Sequence, residues 1–485
     1  MKKIVIPFII STLIVLASCH KDLEVVHKSG LTTSNMWTEA ADAIAARNGM
    51  YRQFRATFIT QYPFWGEYRT GIWGPGNDGS EGYRDEIYDN TIQVSNGSTN
   101  WAALYSTIGN ANFILKYTPG LEMNQDQKNS IIADALFIRS FCYYWIVRLW
   151  GDAPLVLQPY ESANQDNLFP SREPQDRIFD QIDEDIERAL SIIPDNHFVA
   201  DRNMATKTVL NVFKADFNLW SAKVRGKGKP ALDKAKSALD DIKKVTSYQL
   251  ENNFSTIFQS KSSSEIIFTI SLLRNEAEGG YSDVFLESIS NVSPALFENP
   301  VKVGSVRQRC FLTPQFQNFL LSESKDTRTK TTFDTYYDVD RKRKQQWINK
   351  FAGTWEQGTR IFDSNIPIYR YADVLLLSAE VYNALGDPST ALAELNKVAK
   401  RAYGVDQYYP TSLSPQDIDS KILDERMKEF VAEGKLWWDY IRMGQVFKRT
   451  PSLIGRDSEK NILLWPISNS SINSNPNIKP NEFDY

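Results

Sequence analysis

The sequence predicts a mainly α-helical protein: a tetratricopeptide-like scaffold of helical pairs with a large irregular, loop-rich portion and few short strands. Three observations carry this. Apolar residues recur at helical spacing over most of the chain. One helical pair occurs twice in related form. A Gly-, Asn- and aromatic-rich segment interrupts the helices early on. The 485 residues are 42% hydrophobic, enough for a large core, and include 26 Phe, 22 Tyr and 12 Trp. The formal net charge is −4 with no long basic run, so nucleic acid is a poor partner.

Residues 1–18 read as an export signal: Lys2 and Lys3, then a mostly apolar run from Ile4 to Leu16, too short to span a bilayer. Leu16-Ala17-Ser18-Cys19 has the order aliphatic, small, small, Cys of a lipobox, which predicts lipidation of Cys19. Residues 19–34 are polar and read as a tether. No later segment reads as long and apolar enough to span a membrane. From 35 to 485 the chain is expected to form a single domain.

The first helix is expected from Trp37 to about Phe54, through Ala43, Met50 and Phe54. Residues 62–101 hold seven Gly among Trp, Tyr, Asn and Asp, which is loop chemistry. Helices follow at 101–117 and 126–150, the second stopped by Gly151 and Pro154, and another begins after Ser171-Arg172-Glu173-Pro174.

The repeat comes next. Ala215-Asp216 with Ser221-Ala222 aligns without gaps to Ala372-Asp373 with Ser378-Ala379. A turn with Gly and Pro follows each, then a second amphipathic helix, giving helical pairs at about 203–247 and 366–402. Residues 250–365 are less regular. They contain a strand near Glu265–Ile270 and exposed loop tips at Gly279-Gly280-Tyr281 and around Trp355. The last stretch, from Ser468, is expected to be irregular.

Three His and three Cys leave almost no room for a His-based triad or a zinc site, and Cys142 reads as a packed thiol. Glu425, Glu429 and Glu433 fall on one helix face with Arg426 beside them. They read as a polar network joining helices rather than as an acid–base pair, since ion-pair networks imitate active sites.

Several segments resemble the SusD/RagB family of Bacteroidota outer-membrane lipoproteins. Ala135–Ser140 with Leu149-Trp150-Gly151-Asp152-Ala153-Pro154 is similar to its A-x-x-x-R-A helix and L-(F/Y)-G-D-x-P end. Ile368–Leu376 is similar to I-x-R-Y-A-D-V-L-L, and Glu425–Arg442 to E-R-x-x-E-x-x-x-E-G-x-R-x-x-D-L-x-R, with Lys435 where the family has Arg or His. Leu464–Ile467 and Asn475–Asn481 resemble the closing pattern, with Pro480-Asn481-Glu482 replacing Gln-Asn-Pro.

The resemblance implies a non-catalytic glycan-binding lipoprotein on the extracellular face of the outer membrane, delivering oligosaccharide to a SusC-like TonB-dependent transporter. It makes Lys21, Asp22 and Glu24 a candidate surface-export signal. Sugar C–H faces stack on aromatic rings and their hydroxyls need amides and carboxylates. The candidate ligand residues are therefore Trp65, Trp73, Asn77, Asp78, Tyr83, Arg84, Asn100, Tyr281 and Trp355, with Trp101 assigned to the core. No cofactor is expected. Asp78 and Glu81 leave a structural calcium open, but no Asp-x-Asp-x-Asp-Gly run supports one. The rival readings are a glycoside hydrolase, which needs a catalytic carboxylate pair, and a peptide- or other-nutrient-binding or adaptor protein using the helical pairs.

Overall fold

The computed structural model describes residues 36–483 apart from 196, 198, 262 and 275–282. Cys19, Lys21, Asp22, Glu24 and Tyr281 lie outside the described residues. The helices, short single turns aside, are α1 (Ala40–Gly66), α2 (Gly82–Tyr88), α3 (Ala102–Tyr117), α4 (Gln125–Trp150), α5 (Gln175–Ile192), α6 (Lys207–Lys223), α7 (Gly228–Lys243), α8 (Pro314–Leu321), α9 (Tyr371–Ala384), α10 (Pro388–Tyr403), α11 (Pro415–Phe430), α12 (Leu436–Arg442) and α13 (Asn469–Ser474). The strands are β1 (Trp73–Gly74), β2 (Ile266–Ile270), β3 (Glu287–Ser288), β4 (Val303–Gly304), β5 (Phe311–Leu312), β6 (Phe333–Asp338), β7 (Arg343–Ile348), β8 (Thr354–Glu356), β9 (Thr359–Ile361) and β10 (Ile366–Arg370). They pair only two by two: β1 with β5, β2 with β10, β3 with β4, β6 with β7 and β8 with β9.

The two predicted helical pairs are α6–α7 and α9–α10, and α9 packs on both members of the first pair. Small residues at the crossings allow this: Ala215, Ser221, Ala372, Ser378 and Ala379 are buried. Asp387 caps α10 by accepting from Thr390 N at 3.0 Å, with Pro388 at the first helical position.

Helix α4 is buried from Ser130 to Trp150. By length and hydropathy it could cross a membrane, contrary to the sequence expectation, yet here it is the central core helix. Arg139 fixes α5 against it through two bonds to Asp185, at 2.8 and 2.6 Å, and reaches α3 through Asn112. Asp152 caps α5 by accepting from Gln175 N. The C-terminal segment closes this end: Trp465 N donates to Leu149 O, and Asn481 Nδ2 donates to Trp150 O.

Helix α1 runs twelve residues past the expected end at Phe54, to Gly66. Pro63 lies inside it, and a Pro inside a helix costs about 3 kcal/mol. Burial of Phe58, Tyr62 and Trp65 along one face outweighs that, at roughly 1.5–3 kcal/mol each. The helix end then meets the Glu433-Gly434-Lys435 turn backbone to backbone. A Cβ on Gly66 would strike the Gly434 carbonyl, and Gly434 itself (φ 68°) faces the Tyr62 ring. Both positions therefore require glycine.

A network of buried charges ties α9, α10 and α11 to β10 and the 326–350 segment. Arg370 bonds Glu265, Glu429 and Glu433. Arg328 bonds Asp326, Glu425 and Glu429. Lys350 donates to Glu433 at 2.8 Å. Every one of these charged side chains is almost fully buried. Burial would raise the Glu433 carboxyl, but Arg370 and Lys350 prevail and hold it near about 2. Glu429 is likewise held well below the usual range by Arg401, Arg370 and Arg328 against burial. Glu429 and Glu433 are paired with cations inside the core, and Glu425 with Arg328 and the hydroxyls of Tyr403 and Tyr409, so this is the polar network the sequence predicted.

Candidate functional site

The loop expected at 62–101 is partly ordered into the end of α1 and into α2, and it is anchored by one buried carboxylate. Glu67 accepts from Trp73 Nε1 and from the backbone N–H groups of Ala432, Glu433 and Gly434, at 2.9–3.1 Å. Burial pushes its carboxyl up to about 7, with these donors opposing. The glutamate clamps the start of the loop onto the α11–α12 turn and fixes Trp73.

That placement corrects three of the candidate residues. Trp73 is only 2% exposed, stacked on Phe285 at 5.0 Å. Trp65 is 1% exposed, donates to Ser98 O and packs against Phe58, Trp145 and Trp150. Neither indole presents a face to solvent, because both are core residues of α1 and its extension. Arg84 is 6% exposed and bonds Glu81. Its guanidinium lies 4.8 Å from the Tyr83 ring centroid and 5.7 Å from that of Phe64. It props a neighbouring ring rather than facing solvent.

That ring is Tyr83. It stacks on Phe64 at 6.0 Å and keeps 40% of its surface exposed. Burial of part of the ring raises the phenol to about 12, so it stays a neutral donor and acceptor at neutral pH.

Asn77 and Asp78 lie in a polar strip between this loop and the β6–β7 hairpin. Asn77 Nδ2 donates to Glu287 Oε1 at 2.5 Å and to Lys344 O at 3.0 Å. Gln346 Nε2 reaches Asn77 Oδ1 at 3.4 Å. Asp78 accepts from Asn291 Nδ2 and Gln308 N, and its carboxylate lies 3.5 Å from Arg343. Arg309 donates to Asp78 O and lies 3.9 Å from Glu81, which links the strip to Tyr83 and Arg84. Beneath them Glu287 is fully buried. Burial pushes its carboxyl up to about 7, against the Gln346 N–H and the Asn77 amide.

One further exposed ring stands on the hairpin that holds the strip. In the β6–β7 register Thr335 faces Gln346 and Tyr337 faces Lys344, so Tyr337 and Gln346 share one face of the hairpin. Tyr337 is 58% exposed. A hydrogen-bonded band of amides and charges thus joins the segment that bears the solvent-facing Tyr83 to the hairpin that bears the solvent-facing Tyr337. The outward groups include Arg343, with 31% of its side chain exposed, and Arg309, with 21%.

The remaining candidates lie elsewhere. Asn100 accepts from Ala102 N and lines a different cleft, of about 280 Å³, with Tyr160 and Ser471. Trp101 lines it too, but is 6% exposed and packs on Trp150, as expected of a core residue. Trp355 stands on the β8–β9 hairpin and lines a separate cleft of about 630 Å³. Among the described residues no cluster of three or more His, Cys, Asp or Glu is arranged to hold a metal.

Two family models match the chain. One, described as the SusD family, covers residues 322–483. The other, described as starch-binding associating with outer membrane, covers residues 76–209. Between them they span more than half of the sequence. The chain belongs to the SusD family.

Among its relatives are SusD-like protein P2 of Formosa agariphila, 26% identical over the full length of both chains, and SusD-like protein P38 of the same organism, 24% identical over 99% of both. Solved structures agree. B. fragilis NanU is 25% identical, covers 94% of this chain and 99% of its own, and superposes with a TM-score of 0.79. A SusD superfamily protein from Bacteroides vulgatus is 25% identical over 92% and 99%, with a TM-score of 0.77. The family places the protein with glycan-binding, outer-membrane-associated proteins.

In this SusD family member the sequence signatures are structural. Arg139, Asp152, Arg370, Glu425, Glu429 and Glu433 all hold helices together. The sequence reading missed Tyr337, Arg309, Arg343 and Asn291. A signal was present: Phe333–Asp338 and Arg343–Ile348 are two six-residue runs around a four-residue turn, a hairpin pattern. It was obscured by the high charge of the turn and of the second strand.

Proposed function

We propose that the protein captures oligosaccharides at the cell surface and hands them to a SusC-like TonB-dependent transporter, without catalysing their cleavage. The observation that carries this is the pair of solvent-facing tyrosines, Tyr83 and Tyr337, on the segment and the hairpin that the Asn77–Asp78 strip joins. Two rings suit the C–H faces of sugars, and the outward amides, guanidinium groups and carboxylate suit their hydroxyls. The strip is held by hydrogen bonds before any ligand arrives, so little ordering entropy is lost on binding. Export, lipidation of Cys19 and display on the extracellular face through Lys21, Asp22 and Glu24 complete the proposal.

The hydrolase reading finds one attraction, Glu287, whose raised carboxyl and neighbour Asp78 imitate an acid–base pair. But Glu287 has no exposed surface, and both carboxylates already accept hydrogen bonds that build the strip. A general acid must reach the scissile oxygen.

The test is a glycan array followed by titration calorimetry of any hit. Tyr83→Ala/Tyr337→Ala is expected to weaken binding at least tenfold with an unchanged melting temperature. Unaltered binding would remove the tyrosine face, and release of reducing ends from the hit would overturn the non-catalytic reading.

A further inference from the structure

The cleft bearing Trp355 differs in chemistry from the tyrosine strip. Its hairpin is built for display. Gln357 and Gly358, both with positive φ (49° and 79°), form a two-residue turn of the kind that matches strand twist, and Gly353 (φ 68°) lies so close to the Ile361 carbonyl that no Cβ fits. Trp355 is opposite Arg360 in the β8–β9 register, and the Arg360 guanidinium lies 5.1 Å from its ring centroid. Phe297 packs edge-on against the indole at 6.2 Å. The ring is thus fixed and half-buried, on the wall of a cleft whose volume of about 630 Å³ lies within the usual range for ligand pockets.

The cleft is cationic although the chain as a whole is acidic. Lys261, Lys302, Lys330 and Lys350 line it, against Glu298 and Asp363. Lys350 is neutralised from behind by Glu433. Glu298 alone serves two cations, Lys302 at 2.7 Å and Arg360. Lys261 donates to the carbonyls of Leu272 and Asp363 and to the Asn365 amide oxygen, and burial lowers its pKa. Lys330 is exposed and makes no ion pair among the described residues. Arg360 Nη1 is buried without a hydrogen-bond partner. Positive charge is therefore in surplus around a stacking surface, and low-dielectric walls strengthen its field.

We propose that this cleft is a second glycan subsite, one that selects acidic sugars: Trp355 stacks on a ring while Lys302 and Lys330 pair with its carboxylate or sulfate. This rests on the glycan-binding reading above and adds to it a place and a ligand class. Lys302 and Lys330 act as point charges, so the site accepts an anion without demanding one fixed geometry.

Two acidic probes test it by calorimetry: tetragalacturonate and a chondroitin sulfate tetrasaccharide. The carboxyl-reduced neutral form of the first serves as control. At least one acidic probe is expected to bind tenfold or more tightly than the neutral control, and to weaken as salt rises from 50 to 500 mM, over which screening tightens markedly. Lys302→Gln/Lys330→Glu should cut that binding at least tenfold without touching the core. Trp355→Phe, which keeps the packing on Phe297, should weaken it and quench any ligand-induced fluorescence change. Equal binding of acidic and neutral chains overturns the proposal, as does acidic binding that survives the lysine variant. Acidic binding lost in Tyr83→Ala/Tyr337→Ala but kept in the Trp355 and lysine variants also overturns the cleft, while leaving the glycan-binding reading standing. Failure of every oligosaccharide on the array removes both.

Discussion

The helical half and the loop-rich lobe of this protein use the same residue types for opposite ends. Around Arg370, aromatic rings and charges are sealed inside: Phe430 lies under the guanidinium at 4.4 Å, and three glutamates neutralise it. Around Asn77 and Trp355, aromatic rings and charges face water. In the first region charge specifies how helices dock. In the second, charge and rings remain available to a ligand. Residue type alone does not separate the two, and burial does.

The largest effect expected is in the helical half. Arg370→Met leaves Glu265, Glu429 and Glu433 without their shared cation. Removing one partner from a buried pair costs about 3–5 kcal/mol. A large fall in the urea midpoint, or failure to fold, is expected. A fall of less than ~1 kcal/mol would mean that the network is dispensable.

Gly434→Ala should come next. It forces a side chain into the Tyr62 ring at positive φ. A loss of roughly 2–3 kcal/mol is expected from strain and overpacking, with weakened ligand binding, because the same turn holds Glu67 and the start of the loop. Gly358→Ala, at the open tip of the β8–β9 hairpin, meets nothing within 4 Å and should cost less, about 1 kcal/mol of backbone strain.

Acid should reveal the helical half as well. Glu433 is held at about 2 and Glu429 is also depressed, so in the folded state they bind fewer protons than in the unfolded chain. Their contribution is present above about pH 4.5 and is lost as pH falls through that value toward 2. Thermal melts between about pH 4.5 and pH 3, below the range in which the raised carboxyls of Glu67 and Glu287 act in the opposite sense, should show falling stability in the wild type and a shallower slope in a Glu433→Gln variant that still folds. Identical slopes would contradict the assignment.

The comparison also explains what was legible in the sequence. Helical periodicity, the repeated Ala-Asp and Ser-Ala pairs and the spacing of Glu425, Glu429 and Glu433 depend on neighbours along one helix, and the structure repeats them closely. The proposed ligand face depends on contacts between residues far apart in sequence. Asn77 meets Glu287 and Lys344 across more than two hundred positions. Trp65 and Trp73 looked like platforms because Gly and Asn surround them, whereas α1 continues through Pro63 and Glu67 draws Trp73 inward. Tyr83 was named because it lies in the same segment, and Tyr337 was not because its hairpin comes some 250 residues later.

The central claim is that the lobe, and not the helical scaffold, holds the ligand. Calorimetric titration of an array-selected oligosaccharide into wild type and Tyr83→Ala/Tyr337→Ala, with melting curves of both, tests it most directly. The account predicts at least a tenfold loss of affinity, about 1.4 kcal/mol, with superimposable melting curves. Unchanged affinity in the double variant would contradict it.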